Sequence, residues 1–458
     1  MRLILLFGML VSTGCARQPM EREEPRAVDQ NPSRTVRVAA KAPMATPKNG
    51  RLVIKPARVF DGVNNQPHEG WLVIVQDGKI EAAGPANDLK LPEAAETIEL
   101  PGMTLLPGLI DAHTHVLLHP YNETSWDDQV LKEPLALRVC RATNHLKSTL
   151  NSGFTTIRDL GTEGAGYADV GLKQSVEQRI VPGPRMLVTT RAIVATGSYA
   201  PKGFAPEVRV PQGAEEADGE SLRKVVRDQI GRGADWIKVY GDSWDPKRGG
   251  NATFTIEELK LIVETATSLG CPVVAHAMTK EGMERASLAG VATIEHGDGG
   301  DIDVFRLMAN RNVAYCPTLA AGEAMSRYRG WQRGRDPEPA AIKSKRAVFK
   351  QALEAGVPIV NGSDMGVFAH GDGARELELM VDYGMKPADA LRSATSIAAK
   401  FLKLETQIGT INVGKTADLI AVEGDPTRDI GALRKVRLVI RDGIVYLRPD
   451  TIPKPHSN

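Results

Sequence analysis

The 458-residue sequence predicts an α/β fold, a (β/α)8 TIM barrel carrying a small β-domain built from both chain ends. Three observations predict it. Short apolar runs alternate with helical stretches across the middle of the chain, as strands linked by crossover helices do. The first and last ordered stretches instead read as strands and tight hairpins. Residues able to hold a metal fall at the C-terminal ends of the central runs, where a barrel keeps its chemistry. That placement argues against the rival architecture, a doubly wound sheet.

The elements follow in order. Met1-Arg2 precedes an apolar run, Leu3 to Val11, too short to span a bilayer and typical of a secretory leader. Ser12-Thr13-Gly14-Cys15 resembles a bacterial lipobox, with Ser12 where leucine is usual. Lipidation would make Cys15 the new N-terminus, and ordinary cleavage near Ala16 is the competing reading. Residues 1–15 are thus expected to be a lipoprotein-type signal peptide and 16–50 a flexible tether rich in Arg, Pro, Lys and Ala. The expected location is export, to the periplasm or the membrane surface of a bacterium.

Residues 51–104 and 409–449 form the predicted β-domain, and 105–408 the barrel. Leu52–Ile54 and Ala57–Phe60 read as two short strands. Asp77-Gly78 and Asp442-Gly443 each join two β-prone runs, the signal of a two-residue hairpin turn. Ala417–Val422 reads as another strand. The barrel runs are Gly108–Ala112, Thr155–Asp159, Met186–Thr189, Trp236–Tyr240, Pro272–His276, Ala292–His296, Val313–Cys316 and Pro358–Ser363. Thr255 opens a helix with Glu258 three residues on, a capping-box spacing, and Gly270 closes it.

Composition narrows the function. With 42% apolar and 25% charged residues the chain is neither disordered nor a multi-span membrane protein. Lys+Arg is 57 against Asp+Glu 56, so no basic excess points to nucleic acid. The expected partner is a small molecule or short peptide, with membrane contact only through a lipid anchor; a homo-oligomer is left open. Cys140, Cys271 and Cys316 are far apart and read as reduced, mostly buried thiols.

His113-Thr114-His115 ends the first barrel run, and residues two apart on a strand face the same side. Lys238, His276, His296 and Asp364 stand at the ends of later runs. The sequence has nine histidines, and four fall at these positions. Lys238 is the odd member, because an ammonium has no lone pair. A lysine paired with a carboxylate is one reading. A lysine that has added CO2 to become a carbamate, with two oxygens for metals, is the other; burial favours the neutral amine that this reaction needs.

These residues lie in a connected set of motifs: Leu106-Pro107-Gly108-Leu109-Ile110-Asp111-Ala112-His113-Thr114-His115, Gly153–Asp159, Gly233–Val239, His276-Ala277, Ile294-Glu295-His296-Gly297, Gly362-Ser363-Asp364 and Gly414–Leu419. The set resembles the amidohydrolase superfamily, in its imidazolonepropionase-like and prolidase-like branch of binuclear metal-dependent hydrolases. The resemblance spans roughly Arg51 to Tyr446. It implies that His113, His115 and Asp364 hold one ion and His276 and His296 a second, with carbamylated Lys238 bridging them. It also implies that the terminal β-domain is a β-sandwich.

Imidazole and oxygen ligands suit Zn²⁺, with Mn²⁺ or Co²⁺ as alternatives. Two such ions would share a hydroxide that attacks an amide carbon. Asp364 is expected to take the proton and pass it to the leaving nitrogen. Relatives carry Gly-Gly-His where this chain has Gly197-Ser198-Tyr199, so Tyr199 stands in as a donor to the substrate carbonyl. Tyr240 faces inward two residues after Lys238 and is the second candidate substrate contact, a core tyrosine being the competing reading. Arg158 and Arg191 read as structural ion-pair partners. His119 and His370 read as surface-loop residues and His145 as structural; His68 and His456 carry no signal.

The expected activity is amide hydrolysis of the dipeptidase, carboxypeptidase-like or N-acyl amino acid type. A lactonase, esterase or cyclic-amide hydrolase on the same site is the alternative. A non-enzymatic periplasmic binding protein is disfavoured by the presence of both Lys238 and Asp364.

Overall fold

The computed structural model describes residues 50–245 and 247–449. The leader, Cys15, residues 16–49 of the tether and His456 lie outside the described residues. Among the described residues no helix is long and apolar enough to cross a membrane.

Both ends of the described chain contribute to one eight-stranded sheet. Arg51–Val59 pairs antiparallel with Trp71–Gln76 and parallel with Glu96–Pro107. Glu96–Pro107 in turn pairs antiparallel with Leu419–Glu423, which continues into Val436–Arg441 and Ile444–Leu447. The two short strands expected before Asp61 are one strand, whose register shifts between Pro56 and Arg58. Proline lacks the N–H that a regular ladder needs there. Both hairpin turns form as the sequence predicts. Asp77 and Gly78 have φ of 50° and 79°, and Asp442 and Gly443 have 52° and 72°. Two successive positive φ values match the right-handed twist of the flanking strands. The apolar face of this sheet buries Leu52, Ile54, Val73, Leu105, Leu419 and Ile440.

The middle of the chain is mixed α/β. Leu109–Thr114, Phe154–Asp159 and Arg185–Val188 form a parallel three-stranded sheet. Ile237–Tyr240, Val273–Ala277, Thr293–His296 and Ala314–Cys316 pair in parallel within a six-stranded sheet that also takes in Ile193–Val194 and Glu215–Glu216. Asp235 N and Trp236 N donate to Val188 O at 2.8 and 3.2 Å, which ties one sheet to the other. The eighth expected run, Pro358–Ser363, forms no named strand. Its backbone nevertheless bridges both sheets. Val360 N donates to Tyr315 O, and Ala112 N donates to Asn361 O, each at 2.9 Å.

Helices pack over these strands. Ile256–Thr267 starts at a full capping box, in which Thr255 accepts from Glu258 N and Glu258 accepts from Thr255 N. Leu259, Ile262 and Ala266 form its buried face. Gly270 follows at φ 74°, a conformation glycine adopts without strain. An unexpected hairpin, Asp242–Asp245 with Gly249–Ala252, stands just after the Lys238 strand. Cys271 and Cys316 are buried free thiols as expected, whereas Cys140 is exposed.

Candidate metal centre

The strand ends converge. His113 and His115, on the same face of Leu109–Thr114 and its continuation, point their Nε2 atoms at one carboxylate oxygen. Asp364 Oδ1 lies 3.5 Å from His113 Nε2 and 3.4 Å from His115 Nε2. One ligand-type atom from each of these three buried residues lies within 4.8 Å of the others, a grouping able to hold a metal ion. His296 stands with its ring centroid 5.0 Å from that of His113 and 4.4 Å from that of His276. Four imidazoles thus line one small volume.

The outer nitrogens of three of them are spoken for. His113 Nδ1 lies 2.8 Å from Glu295 Oε2, and His115 Nδ1 lies 2.9 Å from Gly161 O. Thr318 Oγ1 donates to Pro317 O, so it accepts from His296 Nδ1 at 2.9 Å. An acceptor at Nδ1 holds the proton there and leaves the Nε2 lone pair facing inward. Burial, reinforced by the Lys238 charge, holds the His113 and His276 pKa values well below the usual histidine range. Burial does the same for His296, aided by the neighbouring imidazoles. Neutral rings are the form that binds cations.

Lys238 is 1% exposed. Among the described residues its Nζ forms no hydrogen bond and no ion pair, and it stands 5.4 Å from the centroid of the Tyr240 ring. Burial lowers its pKa. A buried amine without a partner is costly as it stands. Conversion to a carbamate beside a metal ion would remove that cost, and the grouping of His113, His115 and Asp364 fits such an ion.

The backbone is unusual at this centre. His296, Thr318, Asp364 and Glu163 have φ of 71°, 51°, 64° and 48°. Non-glycine residues in this region are uncommon and cluster at functional sites. Gly362 is required by space: a Cβ there would lie 2.3 Å from Cys316 Sγ and 2.8 Å from His113 Cβ.

Both candidate substrate tyrosines reach the site, but their hydroxyls are engaged. Tyr199 OH donates to Glu163 Oε2 at 2.7 Å, and Tyr240 OH donates to Glu163 Oε1 at 3.3 Å. Trp126 Nε1 donates to the same carboxylate at 2.9 Å. Sequence reasoning gave Glu163 and Trp126 no role. They lie outside any strand period, and only the tertiary fold brings them to Tyr199 and Tyr240.

Glu295 sits within a quoted motif, yet its task was hidden. It is fully buried and also accepts from Arg158 Nη2 at 3.0 Å and from Thr293 Oγ1 at 2.6 Å. Arg158 is therefore the structural ion-pair partner the sequence suggests. Arg191 pairs with Glu215 at 3.5 Å. His119, expected on the surface, is buried between Glu123 and Glu133, at 3.0 and 2.9 Å. His145 stacks on His370, their centroids 4.2 Å apart, and both rings face backbone carbonyls rather than the centre. His68 bonds to Asp61.

The chain is similar to known proteins over most of its length. Residues 104–445 match the family model described as the amidohydrolase family. The ochratoxinase of Aspergillus niger is 28% identical over 427 residues, covering 86% of each chain. The imidazolonepropionase of Rhizorhabdus wittichii is 26% identical over 381 residues, covering 77% of this chain and 87% of that one. The crystal structure of a Xaa-Pro dipeptidase with bound methionine in the active site superposes with a TM-score of 0.76. It is 31% identical, over 87% of this chain and all of that chain.

Proposed function

The chain belongs to the amidohydrolase family, and from that premise we propose that it is a binuclear metal-dependent hydrolase of amide bonds next to a free carboxylate. Its substrates are dipeptides or N-acylated amino acids. One observation carries the reading: His113 and His115 aim at Asp364 Oδ1, and the buried Lys238 Nζ has no hydrogen bond or ion pair among the described residues. In this reading the two parallel sheets and the 358–361 segment close into a (β/α)8 barrel, with the terminal sheet (51–104 and 409–449) as a β-sandwich domain. The bridging bonds of Val360 and Ala112 support the closure.

His113, His115 and Asp364 would hold one ion, His276 and His296 the other, and carbamylated Lys238 both; Zn²⁺ suits this donor set best. When bound, two such ions supply a nucleophilic hydroxide at neutral pH and polarise the amide carbonyl. The protein's own groups do the rest. Asp364 takes the proton released as the carbon is attacked and delivers it to the leaving nitrogen. Burial already raises its pKa, which makes it a better proton carrier than an exposed aspartate. Tyr199 and Tyr240, anchored by Glu163, flank the substrate and fix its orientation.

The test is a hydrolysis panel of dipeptides, N-acyl amino acids and lactones, run with Zn²⁺, Mn²⁺ or Co²⁺ added. Amide turnover is expected, and Asp364→Asn should reduce kcat by about 10²–10⁴-fold or more. Lactone turnover with no amide turnover would overturn the assignment.

A further inference from the structure

A cavity of about 540 Å³ lies between the Trp126–Lys132 helix, the Leu135–Asn151 helix and the loop that follows Phe154–Asp159. No candidate metal ligand lines it. Its lining includes the apolar side chains of Val130, Leu135, Ala165 and Ala168 and two charged ones, Glu133 and Arg138. The volume is that of a small-molecule site.

Arg138 is the unusual wall residue, because it is only 3% exposed. Its Nε donates to Leu117 O at 3.1 Å and its Nη2 to Thr162 O at 3.0 Å. Among the described residues it forms no ion pair, and its Nη1 forms no hydrogen bond. That nitrogen borders the cavity: a Cβ built on the wall at Gly164 would lie 3.7 Å from it. Glu163 and Glu133 are the carboxylates whose charge reaches Arg138 most strongly. Glu163 is committed to Trp126, Tyr199 and Tyr240, and Glu133 Oε1 to His119 and Arg141. A buried guanidinium without a carboxylate is destabilising until an anion reaches it. A ligand carboxylate would make the charge-assisted pair that the fold leaves unmade.

Glu133 supplies the opposite sign. Its Oε2 is buried and has no hydrogen-bond partner among the described residues. Burial raises the Glu133 pKa, but the bonds to Arg141 and His119 outweigh it and hold the group below the usual carboxylate range. The orphan oxygen is therefore that of an anion, and it calls for a donor. One cavity thus presents an unpaired cation, an unfilled acceptor and an apolar lining. A molecule that carries a carboxylate, an ammonium and an apolar side chain on one carbon answers all three.

We propose that this cavity is a binding site for a free α-amino acid with an apolar side chain. Its carboxylate meets Arg138, its ammonium meets Glu133 Oε2, and its side chain lies among Val130, Leu135, Ala165 and Ala168. The site is separate from the metal centre and does not rest on the amide-hydrolase reading.

Equilibrium dialysis of the metal-loaded protein against radiolabelled L-leucine counts the leucine bound per chain. The parent should bind one more leucine per chain than Arg138→Met. Leucine held at the metal centre would be common to both and cancels in the difference. Arg138 is buried, so a second variant guards against misfolding. Leu135 is 53% exposed, and Leu135→Glu places a carboxylate at the cavity mouth that repels the ligand's own. It should also lose one leucine per chain, with its melting curve and metal content as in the parent. 4-Methylpentanoate, which lacks the ammonium, and isopentylamine, which lacks the carboxylate, should each compete at least about tenfold more weakly than leucine, as loss of a charged hydrogen bond implies. Equal leucine stoichiometry in the parent and Leu135→Glu overturns the site. 4-Methylpentanoate competing as well as leucine overturns the amino-acid class.

Discussion

Glu295→Gln probes the support beneath His113. Glu295 Oε2 faces His113 Nδ1, while Oε1 accepts from Arg158 and Thr293. Glutamine keeps one oxygen. Two donors compete for it on the Oε1 side, so the new NH2 turns toward His113 Nδ1. The ring then carries its proton on Nε2, the atom 3.5 Å from Asp364 Oδ1, and the lone pair aimed at the centre is lost. Losing such a supporting carboxylate typically lowers metal affinity about 10–100-fold, or roughly 1.4–2.8 kcal/mol. The same change leaves the fully buried Arg158 guanidinium without its carboxylate. Breaking a buried pair costs about 3–5 kcal/mol. At about 2.1 cal/mol/K of unfolding entropy per residue over roughly 400 residues, that lowers Tm by about 4–6 °C.

Chelator competition followed by metal analysis reads the first effect, and thermal melting the second. Adding Arg158→Met to Glu295→Gln removes the uncompensated charge. The double variant should recover part of the Tm while metal retention stays low. A Glu295→Gln protein that holds its ions against chelator as well as the parent refutes the tautomer argument.

Two further outcomes are expected. Lys238→Ala should lose most activity and retain metal poorly, and added short-chain carboxylates should restore part of the activity by supplying the missing oxygens; an unmodified Lys238 amine in a high-resolution structure of the active enzyme would contradict the carbamate. Export with lipidation at Cys15, the expectation from the leader, predicts that Cys15→Ser moves the protein from the membrane fraction to the soluble one; a variant that pellets with membranes as the parent does would show that Cys15 is not the anchor.

The parts of this structure that were legible in the sequence are those set by local rules. The two Asp-Gly turns, the Thr255 capping box and the period-2 spacing of His113 and His115 each follow from a few neighbouring residues, and the structure contains all three features. Both histidines lie within 3.5 Å of Asp364 Oδ1, at strand ends that the sequence marks by their metal-competent residues.

What was hidden depends on distant chain segments. Glu163 joins Trp126, 37 residues before it, to Tyr240, 77 residues after it, and no spacing announces such a meeting. Glu295 sits beside a candidate ligand, but two of its three partners, His113 and Arg158, arrive from other elements. Pro358–Ser363 looked like a strand by composition. It instead makes one isolated β-bridge, Ile359 with Tyr315, and its Gly362 is fitted to the space between Cys316 and His113 rather than to a ladder.

The central claim is that this chain works through two divalent ions held by His113, His115, Lys238, His276, His296 and Asp364. Elemental analysis of a fully active preparation, normalised to protein concentration, measures it directly. The account predicts two divalent ions per chain, with activity lost on chelation and regained as ions are restored. Full activity with one ion per chain or fewer contradicts it.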